Sequence, residues 1–185
     1  MYYMMACYAA SDNYPALITY IPDEPCRSWM LGSRFNPPIL EPVVAKVKFK
    51  TKSVMLEMFN VPVPLMTHRL YRTLLNAGVC NIDVYTANIT DKDTGETYEG
   101  YVAFNIIGAI SAADLSKSVF EAPDGFLVSI DFTSLTIDQR KPRGAMLFRL
   151  AESVNGIVVH ESVKNAIEAA GIDTLTFIPP EKWIS

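Results

Sequence analysis

The chain is poor in the residues from which active sites are usually assembled. It has two histidines, His68 and His160, and three cysteines, Cys7, Cys26 and Cys80. Two histidines without a third nitrogen, sulfur or nearby carboxylate at ligand spacing make a weak case for zinc, and surface histidines at helix starts are the expectation. An odd number of cysteines without motif spacing argues against a disulfide framework and fits reduced thiols in a cytoplasmic protein. Nothing in sequence pairs a histidine with Cys80, as a thiol nucleophile would require. The Gly-x-Ser-x-Gly, Gly-x-Gly-x-x-Gly and P-loop patterns are absent. The stretch from Asp91 to Glu96 resembles the start of a calcium loop. Its glycine, however, falls one place early, and position twelve is Val102 where a bidentate glutamate is needed. A hairpin turn with solvated charges is the expectation there. No metal, no organic cofactor and no turnover are expected.

Positive charge is also in the minority, 16 Lys and Arg against 20 Asp and Glu. The net charge is −4 and the pI about 5.2, so direct nucleic-acid binding is not expected, because affinity for phosphates needs clustered cations. No run is long enough to span a bilayer. The apolar start, residues 1–10, has no Lys or Arg before Arg27 and so lacks the positive region of a signal peptide. It is expected to be a first core strand.

What is present is a block that occurs twice. Residues 66–85 and 159–178 align with a shift of 93 positions: Leu70 on Val163, Leu74 on Ile167, Gly78 on Gly171, Val79 on Ile172 and Val84 on Phe177. Leu70, Leu74 and Ala77 fall at helical spacing, as do Val163, Ala166, Ile167 and Ala170, so each copy predicts an amphipathic helix of about three turns. Thr67 stands where the first helix should be capped; His160, in the matching place, is a poorer cap. Gly78 and Gly171 stand where a helix ends in a left-handed residue. Residues 82–85 and 175–178 then alternate as strands do. Helices this short must dock on a sheet to be stable.

The rest of the chain predicts strands and turns. Residues 1–42 carry Pro15, Pro22, Pro25, Pro37, Pro38 and Pro42, which points to loops and short strands. Further strands are expected over Val43–Ser53, near Val54–Phe59, near Leu127–Phe132 and over Ala145–Leu150. A hairpin is expected from Val84–Ile89 to Thr97–Ile107, and a short helical turn near Ala112–Ser116. Strands and helices mix without regular alternation, so the expected class is α+β, a mostly antiparallel sheet with two short helices from the duplicated unit. Half the residues are hydrophobic, enough for one well-buried domain over residues 1–185 with sub-lobes 1–110 and 111–185.

Two charge patterns stand out. Lys46, Lys48, Lys50 and Lys52 fall on one face of a strand with Val47 and Phe49 on the other. This is expected to be an amphipathic strand whose lysines face water and discourage edge pairing, with an acid- or phosphate-binding stripe as the alternative. From Asn60 onward acids outnumber bases 15 to 10. Asp91, Asp93, Glu96, Glu99, Glu121, Asp124, Asp131 and Asp138 lie in or near predicted turns, an acidic surface suited to a basic partner.

Several stretches together resemble one known family. They are Leu147-Phe-Arg-Leu-Ala-Glu-Ser, residues 157–172, and Phe177-Ile-Pro-Pro-Glu-Lys-Trp, with Val63-Pro-Leu-Met-Thr-His-Arg-Leu, Ala77-Gly-Val, Tyr85, Asn105-Ile-Ile-Gly, Ala113-Asp-Leu-Ser-Lys-Ser and the initial Tyr2-Tyr3. The chain is similar to immunity protein family eleven of the bacterial polymorphic-toxin systems. It departs at His160, where the family usually has a small capping residue. The resemblance implies a non-catalytic cytoplasmic protein that binds a toxin delivered between bacteria, often a nuclease. The matching motifs are scaffold, so no toxin-contact residue carries over. Two other readings stay open: a regulatory or scaffold module for another protein, and an enzyme whose site is assembled from Asp131, Asp138, Arg140 and His160. Oligomeric state is not legible.

Overall fold

The apolar stripes of the two repeats become two nine-residue helices, each stopped by a glycine with positive φ, 88° at Gly78 and 69° at Gly171. The computed structural model describes residues 1–9, 12–21, 28–122 and 130–185. Along the chain run β1 (Tyr2–Cys7), β2 (Tyr14–Pro15), β3 (Leu17–Tyr20), β4 (Val43–Lys48), β5 (Ser53–Val54), β6 (Met58–Phe59) and β7 (Leu65–Thr67), then helix α1 (His68–Asn76). After it come β8 (Ile82–Asp91), β9 (Thr97–Tyr98), β10 (Tyr101–Ile106), β11 (Ala109–Ile110), β12 (Val119–Glu121), β13 (Asp131–Ser134), β14 (Leu147–Leu150) and β15 (Ile157–His160). Helix α2 (Glu161–Ala169) and β16 (Leu175–Ile178) close the order, before a 3-10 turn at Pro180–Lys182. The fold is α+β with mainly antiparallel sheet.

Two large sheets carry the chain. One has the strand order β3-β4-β8-β10-β7-β6, with β9 beside β8; the other has the order β11-β14-β15-β1-β16. Pairing within them is antiparallel except for β4 with β8 and β11 with β14. The repeats fit this frame in one way. In the first, β10 lies between β7 and β8; in the second, β1 lies between β15 and β16. Each repeat is therefore a strand–helix–strand unit split by one inserted antiparallel strand.

The registers coincide. Tyr101 faces Thr67 and Phe104 faces Val84, while Tyr2 faces His160 and Met5 faces Phe177. The shift of 93 that maps Thr67 on His160 also maps Val84 on Phe177. The amide of His68 donates to the carbonyl of Gly100, and that of Glu161 to Met1, both at 2.8 Å. The duplication thus includes a third strand, which follows the first repeat in sequence but precedes the second.

Both helix ends obey local chemistry. Thr67 Oγ1 accepts the amide of Leu70 at 3.1 Å, and His160 Nδ1 accepts that of Ser162 at 3.3 Å, a longer and weaker cap. At the other ends the amides of Val79 and Ile172 reach back to the carbonyls of Leu74 and Ile167 at 3.0 and 3.3 Å, the six-to-one closure that a left-handed glycine permits. Leu70, Leu74, Val163 and Ile167 are buried in one shared core with Met66, Phe104, Ile106, Met5, Ile157 and Val159 from both sheets. Arg69 on α1 donates to the terminal carbonyls Ala170 and Gly171 of α2 at 2.7 and 2.8 Å.

A second core fills the far face of the longer sheet, with Val43, Ala45, Val47, Ile89 and Trp29. A third covers the far face of the shorter sheet, with Met4, Phe148, Val158, Phe132 and Ile137. The shorter sheet is thus buried on both sides, which is why Leu147–Leu150 and Ile157–Val159 read as continuous burial rather than alternation.

Several expectations need correction. The lysine strand ends at Lys48, so Lys50 and Lys52 fall in the following turn, where Lys52 has φ of 63°. It is also no edge: β4 lies between β3 and β8, with Lys46 and Lys48 on its open face. The region near Val54–Phe59 forms two short pieces rather than one strand. Ala112–Ser116 is not helical; Ala113 makes a β-bridge with Ile137 and a turn follows. The sheets do not divide at residue 110, because β1 and β11 both belong with the C-terminal strands. Of the strand expected near Leu127–Phe132, residues 127–129 lie outside the described residues, as do Cys26 and Asp124; the strand there runs Asp131–Ser134.

Candidate functional site

The acidic residues singled out in the sequence fall into three places. The hairpin between β8 and β9 carries Asp91, Asp93 and Glu96, with Glu99 just beyond. Asp91 is buried, 7% exposed. Its Oδ1 accepts the amides of Asp93 at 2.7 Å and Thr94 at 3.0 Å. Those amides, Thr94 first, hold its carboxyl below the usual range. Asp91 therefore builds the turn. Asp93, Glu96 and Glu99 are exposed around it and make no ion pair among the described residues.

The second place is the β12–β13 pair, where Glu121 and Asp131 are exposed and directly opposite each other in register. Like charges across a strand pair are destabilising, so this arrangement is not explained by stability. The third place holds Asp138. Arg140 grips its carboxylate in a fork, Nε to Oδ1 at 3.0 Å and Nη2 to Oδ2 at 2.9 Å. That pairing brings Asp138 down to about 2. Its charge is already matched.

Asp138 in fact opens a basic loop, which the regional count of acids concealed. Arg140, Lys141 and Arg143 follow within five positions, and all three are exposed. Lys141 donates its Nζ to the carbonyl of Ala113 at 2.7 Å. Arg143 takes a left-handed φ of 49° just before Gly144 and has no ion pair among the described residues. This loop borders an open cavity of about 750 Å³ with Ile110 and Ser111. Next to it a smaller, more apolar slot of about 300 Å³ lies between Gly78–Asn81, Ile107–Ile110 and Gly144–Phe148. Asn81 fastens its floor, donating Nδ2 to the carbonyls of Ile107 at 2.7 Å and Leu147 at 2.9 Å. One side chain thus ties the two sheets together. The three cations from Arg140 to Arg143 were visible in the sequence; the slot beside them depends on strands far apart in the chain.

Of the residues of the enzymatic alternative, the described contacts join only Asp138 with Arg140. Asp138 and Arg140 pair with each other, His160 caps α2 beside Ser162 and the Tyr2 ring, and Asp131 lies on β13. Among the described residues no three His, Cys, Asp or Glu side chains form a group that could hold a metal ion. No described helix is long and apolar enough to cross a membrane. Two charged side chains are fully buried in β14 and the turn after it. Arg149 donates to the carbonyl of Val154 at 2.9 Å and to Asn60 Oδ1 at 3.1 Å, and burial lowers its guanidinium to about 10. Glu152 Oε1 accepts from Ser111 Oγ at 2.6 Å and the amide of Ala113 at 3.2 Å. Both act as internal ties: the arginine joins the two sheets, and the glutamate holds the segment from Ser111 to Ala113.

The described residues define an α+β protein with two large sheets, built on a duplicated split strand–helix–strand unit, with charged surfaces at its turns. The model of the immunity protein family Imm11 matches residues 5–182, and the chain belongs to that family. No curated protein matches the chain significantly.

Proposed function

We propose that this protein binds a cognate antibacterial toxin in the cytoplasm and neutralises it stoichiometrically, without catalysis of its own. The observation that carries this reading is the family match across residues 5–182. The toxin class it favours is a nuclease. Nuclease domains hold phosphates and are usually basic, and this chain has a net charge of −4, so the two meet with complementary potential.

The acidic contacts are Asp93, Glu96 and Glu99 on the hairpin tip, and Glu121 and Asp131 on β12 and β13; Asp124, which falls between them in sequence, lies outside the described residues. Asp91 and Asp138 are withdrawn from the contact set, since their carboxylates serve their own loops. A specific complex buries roughly 800 Å² on each partner.

Co-expression with the neighbouring toxin gene tests this. The expected result is a complex that co-purifies, with toxicity abolished. Reversing Asp93, Glu96 and Glu99 to lysine is expected to slow association and weaken its salt dependence. Full protection of cells without any physical complex would sink the reading.

A further inference from the structure

We propose that the slot between the two sheets and the basic loop beside it form a single docking cleft for an extended partner segment. That segment carries an apolar side chain flanked by carboxylates. The identification of the partner as the toxin rests on the function proposed above; the chemistry of the cleft does not.

The cleft has the anatomy of an interface hot spot, an apolar pocket beside a charged rim. Its apolar part measures about 300 Å³, at the lower end of pockets that take small organic groups, roughly 300–1,000 Å³. Ile107, Ile110, Ala145 and Met146 line it. The Asn81 bonds to Ile107 and Leu147 fix its floor, so it need not be created by the partner.

The rim is cationic, and two of its three cations are held by the protein itself. Arg140 is 90% exposed at its side chain yet held in one orientation by Asp138. Two of its five N–H groups face Asp138, which leaves three for a second carboxylate. Lys141 is anchored on Ala113, and Arg143 is exposed without an ion pair among the described residues. Three cations against one carboxylate leave this loop positive on a chain that is negative overall. Side chains already held, as Arg140 and Lys141 are, lose less entropy when they are engaged. Arginine is also the side chain best suited to hold a carboxylate with two parallel bonds. Lone phosphate chemistry does not call for the apolar slot; a peptide segment uses both halves.

The cleft is distinct from the acidic tip. Strand β8 begins at Ile82, beside the slot, and ends at Asp91 in the hairpin. Its ten residues span about 30 Å at about 3.3 Å each. Substitutions at one end therefore leave the other unaltered.

Two measurements test the proposal. In the first, toxin association with the wild type is compared with Arg140→Gln/Arg143→Glu and with Ala145→Trp, which fills the slot. The charge variant is expected to slow association by about tenfold and flatten its salt dependence. Ala145→Trp is expected to raise the dissociation rate by about tenfold or more. A complex that ignores both cleft variants overturns the docking site and leaves the inhibitory function standing. In the second, which needs no toxin, the peptide Glu-Asp-Phe-Glu-Asp is titrated into isotope-labelled protein. Saturable amide shifts at Gly78, Gly108, Gly144 and Met146, reduced in Arg140→Gln/Arg143→Glu, support the cleft. Absence of localised shifts up to millimolar peptide overturns it, as do equal shifts from Lys-Lys-Phe-Lys-Lys. The same amides moved by a short single-stranded DNA oligonucleotide would reassign the cleft to phosphate and overturn the peptide proposal.

Discussion

Replacing Gly78 or Gly171 by alanine isolates a backbone cost from a packing cost. Both glycines end a helix with positive φ, 88° and 69°. A Cβ added at Gly78 meets nothing within 4 Å, and one at Gly171 meets only Arg69 Nη2 at 3.5 Å, an ordinary contact. No steric clash contributes, so the penalty is that of a left-handed conformation for an L residue, about 1–2 kcal/mol. In a chain of this length that lowers Tm by roughly 2–8 °C per site. Arg69, which bonds Gly171, lies at the opposite end of α1 from Gly78. The two sites share no partner, and the double variant is expected to lose the sum, about 2–4 kcal/mol. Urea melts should show an earlier midpoint at unchanged m. Valine should cost somewhat more than alanine, and asparagine less than either, since asparagine visits the left-handed region more readily. Alanine variants as stable as the wild type at both positions, or asparagine costing more than valine, would refute the reasoning.

Three further outcomes are expected. Arg140 holds Asp138 down to about 2, and the amides of Thr94 and Asp93 hold Asp91 below its usual range. Both carboxyls bind protons more tightly in the unfolded chain, so their stabilisation is complete above about pH 4 and is lost as pH falls through their lowered values; Asp138→Asn should flatten the stability-against-pH slope in acid urea melts. Thr67→Ala removes the acceptor for the Leu70 amide and should cost about 1 kcal/mol in a denaturant titration, with the loss concentrated in hydrogen-exchange protection of the first turn of α1. Arg149→Met removes a buried charge that has no carboxylate partner among the described residues, together with its bonds to the half-buried Val154 and Asn60. These effects oppose each other, so calorimetry should find a change within about 2 kcal/mol; a loss above about 4 kcal/mol would show that the guanidinium is needed where it lies.

The parts of the fold that were legible in sequence are those fixed by neighbouring residues. Thr67, Leu70, Leu74 and Gly78 specify cap, stripe and stop within twelve positions, and their counterparts do the same from His160 to Gly171. The hairpin from β8 to β10 was legible for the same reason. The third strand of the duplication was not. Tyr2–Cys7 and Tyr101–Ile106 share a first tyrosine and little else, and they lie on opposite sides of their repeats in chain order. Their equivalence exists in hydrogen-bond register, which a linear comparison does not see. The end of the lysine strand was hidden too, because alternation continues through Phe49 and Lys50 into a turn. At the surface, counting acids identified the turns but not the state of each carboxylate. Asp91 and Asp138 are set apart from Asp93 by burial and by the amides or guanidinium that stand within about 3 Å of them.

The duplication also indicates where function has room to reside. Positions that correspond between the repeats are occupied by caps, stripe residues, glycine stops and paired strands, whose chemistry is spent on folding. Specific surfaces must therefore come from what one copy has and the other lacks. β16 has four residues where β8 has ten, and the extra length of β8 carries the chain out to the acidic hairpin. The basic loop from Asp138 to Gly144 lies between the two repeats and belongs to neither. Two surfaces of opposite charge thus sit on additions to a symmetric frame, at the two ends of β8. A partner gripped at the cleft alone should keep its dissociation rate when the hairpin is reversed in charge, whereas one gripped at the tip should not. The ratio of the two effects measures which addition holds the partner.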